Sequence, residues 1–88
     1  MNIRLHSVYK KSYKKRVAYN QKLVAKVSEK ILLFAKDPTN PLLKDHSLRG
    51  KMANVRAFWV TGDMRIVYVF LGEDEVFFID IGSHNQVY

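Results

Sequence analysis

The chain has 88 residues, 48% of them hydrophobic and 12% aromatic, and no cysteine. That length builds one domain around one core, and the missing cysteines exclude a disulfide framework, a thiolate metal site and a cysteine nucleophile. Its 15 Lys/Arg against 8 Asp/Glu leave a formal charge of +7, and no run of 18 apolar residues offers a membrane-spanning helix. The charge is lopsided: residues 1–56 hold 14 basic residues against three acids, whereas residues 57–88 hold one arginine against five acids. A basic face on a small domain is the footprint of a polyanion binder, nucleic acid or an acidic protein. The opening MNIRLHSVYKK lacks the apolar stretch of a signal peptide, so the chain reads as soluble and cytoplasmic.

Residues 3–7, IRLHS, alternate apolar and polar and predict a short first strand, with Ser7 placed to cap a helix. Tyr9, Tyr13 and Val17 then recur at helical spacing, with lysines on the other faces. Asn20 breaks this helix and caps the next. In the second helix Val24, Val27, Ile31, Phe34 and Ala35 share a face, widened by Leu23 and Leu32, while Lys22, Lys26 and Lys30 line the opposite side. DPTNP ends it, because Pro38 cannot continue a helix. Residues 39–54 have no period and predict a loop anchored by Leu42, Leu43 and Leu48; a loop this long is usually functional. The rest predicts three strands, residues 55–60, 65–71 and 75–81, joined by tight turns at TGD and GED into an antiparallel meander. The order β-α-α-β-β-β implies an α+β domain, two helices packed on a small antiparallel sheet.

Three histidines are the first candidates for chemistry. His6 lies in the first strand and predicts a structural role; His46 sits in the loop and His84 just past the last strand. Zinc needs three or four ligands, and no HxH, HxxxH or HxxE spacing is present, so neither metal nor other cofactor is expected. Asp63 and Arg65, two apart at the start of the central strand, point to one side. In a meander that strand start lies beside the end of the next strand, so Asp63, Arg65 and His84 converge, within reach of His46 and Tyr88. This set suits RNA cleavage by the RNA's own 2′-hydroxyl. Histidine can serve as base or acid near neutral pH, arginine clamps a phosphate, and an aromatic can stack on a splayed base.

The motifs H-x-L-x-G in KDHSLRG, G-D-x-R-I-x-Y in GDMRIVY and the closing GSHNQVY together resemble the RelE/ParE toxin superfamily, and within it the YafQ-like branch. The resemblance covers nearly the whole chain. It implies the toxin of a type II toxin–antitoxin system, an mRNA endonuclease acting at the ribosome and held inactive by a cognate antitoxin in a hetero-oligomer. Carried over residue by residue, it makes His84 a general acid/base, Asp63 and His46 catalytic partners, Arg65 the phosphate clamp and Tyr88 the aromatic that orients substrate. Lys44, Arg49, Lys51, Arg56 and Trp59 make up the expected RNA-binding set, the lysines and Arg49 on charge. Two positions depart from the pattern: Trp59 stands where it can carry a second histidine, and Asp80 where it can carry an arginine. Asp80 leaves open a binding module without cleavage; a gyrase inhibitor of the ParE kind is a third alternative, ranked lower because that branch usually lacks the histidine end.

Overall fold

The computed structural model describes residues 1–48 and 54–88; Arg49 and Lys51, two expected RNA contacts, lie outside them. The elements run β1 (Asn2–Leu5), α1 (Ser7–Arg16), α2 (Gln21–Lys36), a 3-10 turn (Pro41–Leu43), β2 (His46–Ser47), β3 (Arg56–Thr61), β4 (Met64–Gly72), β5 (Glu75–Ser83) and α3 (His84–Val87). The predicted α+β class holds, two N-terminal helices and then a sheet, and β3–β4–β5 form the predicted antiparallel meander. The sheet differs from expectation in being mixed and five-stranded, in the order β1-β5-β4-β3-β2. β1 pairs parallel to β5, Asn2 opposite Glu75 through Leu5 opposite Phe78. The connection between them runs through both helices and β2–β4, longer than the crossover that a parallel pairing requires.

Local chemistry sets the helix ends. His6, not Ser7, caps α1: its Nδ1 accepts the Val8 N–H at 3.0 Å, and its ring packs on Phe77 at 5.3 Å. Lys14, Lys15 and Arg16 fill the last turn of α1, where cations oppose the helix dipole favourably. Asn20 caps α2 as predicted, accepting the N–H groups of Lys22 and Leu23. On α2, Val27 and Phe34 are buried, but Leu32 points outward at 72% exposure and does not widen the apolar face.

The described part of the expected loop, residues 39–48 and 54, is more ordered than its composition suggests. Leu43 is fully buried, Leu42 is exposed, and Asn40 caps the 3-10 turn through Leu42 N–H at 2.9 Å. His46 and Ser47 pair with Ala57 and Arg56 of β3. Asp45 fixes this segment to the sheet by accepting Arg56 Nε at 3.0 Å and the Tyr68 hydroxyl. The core itself is aromatic. Phe34 of α2 stacks on Phe58 of β3 at 4.5 Å and meets Tyr68 of β4 and Phe78 of β5 edge-on at 4.7 and 6.0 Å, favourable geometries for ring quadrupoles. One helix residue therefore touches all three central strands.

Candidate active site

The site forms where β4 begins and β5 ends. Side chains alternate along a strand, so Phe58 and Ile66 face the core while Trp59 and Arg65, opposite each other in register, do not. Gly62 turns β3 into β4 with φ of 53°, a conformation glycine adopts freely. Trp59 secures that turn by donating its indole N–H to Gly62 O at 2.8 Å. Asp63 leaves the turn and takes Arg65 Nη1 on its Oδ1 at 2.6 Å. Its other oxygen accepts the backbone N–H of His84 at 3.3 Å.

The convergence expected of Asp63, Arg65, His84, His46 and Tyr88 is present as a chain of contacts. The His84 ring meets Tyr88 edge-on at 4.4 Å. The Tyr88 hydroxyl lies 3.0 Å from His46 Nε2, and the Arg65 guanidinium lies 5.8 Å from the Tyr88 ring centre. His46 Nδ1 is 3.1 Å from Lys44 O. A carbonyl can only accept, so Nδ1 carries a proton, and in neutral His46 the bare Nε2 accepts the Tyr88 O–H. Hydrogen bonding from Arg65, aided by the His84 N–H, holds the Asp63 carboxyl below its ordinary range. Burial pushes the Tyr88 phenol up, so it remains a proton donor. Asp63 is thus a fixed anion that aims Arg65 and the start of α3. The groups that can exchange protons are His46, His84 and Tyr88.

The remaining predicted residues separate. Lys44 and Trp59 border the cluster, joining His46, Gly62 and Arg65 around one cleft. Arg56 does not: its Nε is committed to Asp45. Asp80 is held by Arg16 at 3.5 Å and accepts its neighbour's Ile81 N–H at 2.8 Å. Among the described residues no group of three or more His, Cys, Asp or Glu could hold a metal ion.

Two residues with no motif to flag them shape the tail. Arg16, 65 residues away in sequence, donates Nη1 to Ile81 O at 2.8 Å. Gln86 accepts the Ser83 N–H at 2.7 Å, and that capping contact turns the chain from β5 into α3. Gly82 lies within β5, which runs on to Ser83. It makes room: a Cβ there would stand 2.6 Å from Arg16 Nη1, 2.7 Å from Gln86 Oε1 and 3.1 Å from Gln86 Cβ. The atoms met first are the ends of the flexible Arg16 and Gln86 side chains, so Gly82→Ala is expected to displace them and cost about 1 kcal/mol, the worth of a hydrogen bond lost, measured by urea unfolding. No change in midpoint would contradict this packing account.

Comparison with known proteins agrees with the fold. A metal-bound toxin from Helicobacter pylori is 27% identical, with a TM-score of 0.73 over 100% of this chain and 99% of that one. A YoeB/ParE toxin from Agrobacterium tumefaciens is 22% identical, with a TM-score of 0.80 over 96% and 99%. The E. coli DinJ–YafQ toxin–antitoxin complex contains a chain 24% identical, with a TM-score of 0.77 over 99% and 96%. A search of the curated proteins finds no match. The sequence profile described as bacterial toxin of type II toxin–antitoxin system, YafQ, matches residues 1–88. With that match spanning the whole length, and the fold and closing motif in agreement, the chain belongs to the YafQ family of bacterial type II toxins.

Proposed function

We propose that the protein is an endoribonuclease that cleaves mRNA, in keeping with a family whose members are generally ribonucleases. The reading rests on one observation, the unbroken run of contacts from Arg65 through Tyr88 to His46 and His84. Cleavage by internal attack needs a base, a cation and an acid. The 2′-hydroxyl gives its proton to a histidine, its oxygen bonds to phosphorus, and the bond from phosphorus to the 5′-oxygen breaks. The leaving oxygen takes a proton from the second donor. The products are a 2′,3′-cyclic phosphate and a free 5′-hydroxyl, and no electrons change hands.

His84 is assigned the acid–base role, with His46 as its counterpart acting directly or through the Tyr88 hydroxyl. Arg65, steadied by Asp63 through one nitrogen, keeps its other N–H groups for the phosphoryl oxygens. Asp63 carries no proton in this scheme and serves as a positioning residue. The pairing of Asp80 with Arg16 supports a site whose phosphate Asp80 does not oppose. The ribosome is the proposed place of action. The cognate partner is an antitoxin, as in the DinJ–YafQ complex, with an acidic segment that complements the basic helices.

Induced expression followed by primer extension on cellular mRNA tests this. New 5′ ends should appear in mRNA as growth stops, and neither should occur with the His46→Ala, His84→Ala double variant. Growth arrest with intact mRNA would overturn the reading.

A further inference from the structure

We propose that Trp59 gathers Lys30 and Lys44 into a second phosphate-binding subsite, flanking the phosphate held by Arg65. The inference rests on the RNA-cleaving reading and adds to it a place for the neighbouring backbone phosphate. Three observations carry it. Lys44 Nζ lies 4.7 Å from the centre of the Trp59 ring, and Lys30 Nζ, from α2, lies 5.2 Å from the same centre. Both distances are within cation–π range, and tryptophan is the strongest of the aromatic partners. The two ammonium groups can be no further apart than the sum of those distances.

The ring is held for this purpose. Its N–H is bound to Gly62 O, so it cannot swing away, and β2 pairs only as far as Ala57. Among the described residues, no strand covers the outer edge of β3 beyond that point, and Lys30 reaches the ring there. Lys44 adopts the left-handed backbone, φ 48°, uncommon for a residue other than glycine. That conformation directs its chain from the 3-10 turn to the indole.

The cleft beside them has a volume of about 300 Å³ and is lined by Lys44, His46, Trp59, Gly62 and Arg65, with no carboxylate among them. The nearest acid in sequence, Asp63, is committed to Arg65. Two cations drawn to one ring repel each other, and the ring's quadrupole offsets this only in part. An anion between them and Arg65 completes the balance. A phosphodiester has the charge, the size and the spacing along a strand to follow the one at Arg65. The competing role for Trp59, stacking on a base, is disfavoured because a base would have to displace a lysine from the ring.

The test uses binding of a short 2′-O-methyl RNA, which lacks the attacking hydroxyl, measured by fluorescence anisotropy over a series of KCl concentrations. Each phosphate contact with a single strand contributes about 0.7 to the slope of log affinity against log salt. Lys30→Ala and Lys44→Ala each remove one of two cations on a single phosphate, so each should flatten the slope by part of that value of about 0.7. Trp59→Leu removes no charge, yet should flatten it by more than either lysine variant. An unchanged slope in Lys30→Ala overturns the subsite. So does a Trp59→Leu variant that loses affinity at unchanged slope, the signature of lost stacking. Should Trp59→Leu fail to fold, the two lysine variants, both at the surface, still decide. No RNA binding by the unaltered protein would remove the cleavage reading itself, whereas binding with unaffected slopes removes only the subsite.

Discussion

His84→Ala is expected to lower the rate of RNA cleavage by about 10²- to 10⁴-fold, the usual worth of one general acid or base, and to leave the fold intact. The side chain is exposed and its ring contact is with Tyr88, so little stability is at stake. The backbone N–H bound by Asp63 survives the substitution, and α3 keeps its place. The assay is single-turnover cleavage of a defined mRNA, with ribosomes present, across a pH series. Removing a proton-transfer group should erase one limb of the pH–rate profile. Asp63→Asn provides the contrast. Asp63 is held ionised by Arg65, so its carboxylate stays charged from neutral pH down to well below the range where histidines titrate. Losing that charge should slow cleavage through a misaimed Arg65 but keep both limbs. An Asp63→Asn profile that loses a limb, or a His84→Ala enzyme at full rate, would reverse the assignment of roles.

That contrast also shows which parts of the site were legible in the sequence. The i, i+2 spacing of Asp63 and Arg65 and the antiparallel pairing of β4 with β5 were enough to bring His84 beside them, because strand periodicity and tight turns fix relative position over short distances. Arg65 stands opposite Gly82 and Met64 opposite Ser83, as that pairing requires. Partners distant in sequence were not legible. Nothing in IRLHS indicates that β1 joins the far side of β5 in parallel, since alternation marks a strand without naming its neighbour. The contact of Arg16 with Ile81 spans 65 residues and has no motif. Lys30 shared a stripe with Lys22 and Lys26, and only the tertiary fold separates it by placing Trp59 beneath it. The cap of α1 falls on His6 rather than Ser7 for a simpler reason: both can accept a backbone N–H, and geometry alone selects His6.

Phe34→Ala is expected to cost about 3–5 kcal/mol of stability, a large share of the total for a domain whose whole margin is on the order of 5–15 kcal/mol. Phe34 is fully buried, and its ring contacts reach Phe58, Tyr68 and Phe78 on three successive strands. Deleting it removes apolar transfer energy and leaves a cavity that three strands can close only by shifting together. Urea unfolding should show the midpoint fall with the slope preserved, and the melting temperature should drop by more than about 12 °C. Phe34→Leu refills part of the space and should cost less than half as much. A loss below about 1 kcal/mol in Phe34→Ala would mean that the core collapses freely around the gap. The consequence reaches the site, because Phe58 precedes Trp59 and Ile66 follows Arg65 along the same strands. Trp59 and Arg65 thus stand next to residues of the buried cluster that includes Phe34. At a temperature where Phe34→Ala remains folded, slower cleavage with an unchanged pH profile is therefore expected. That pattern would separate loss of alignment from loss of a proton-transfer group.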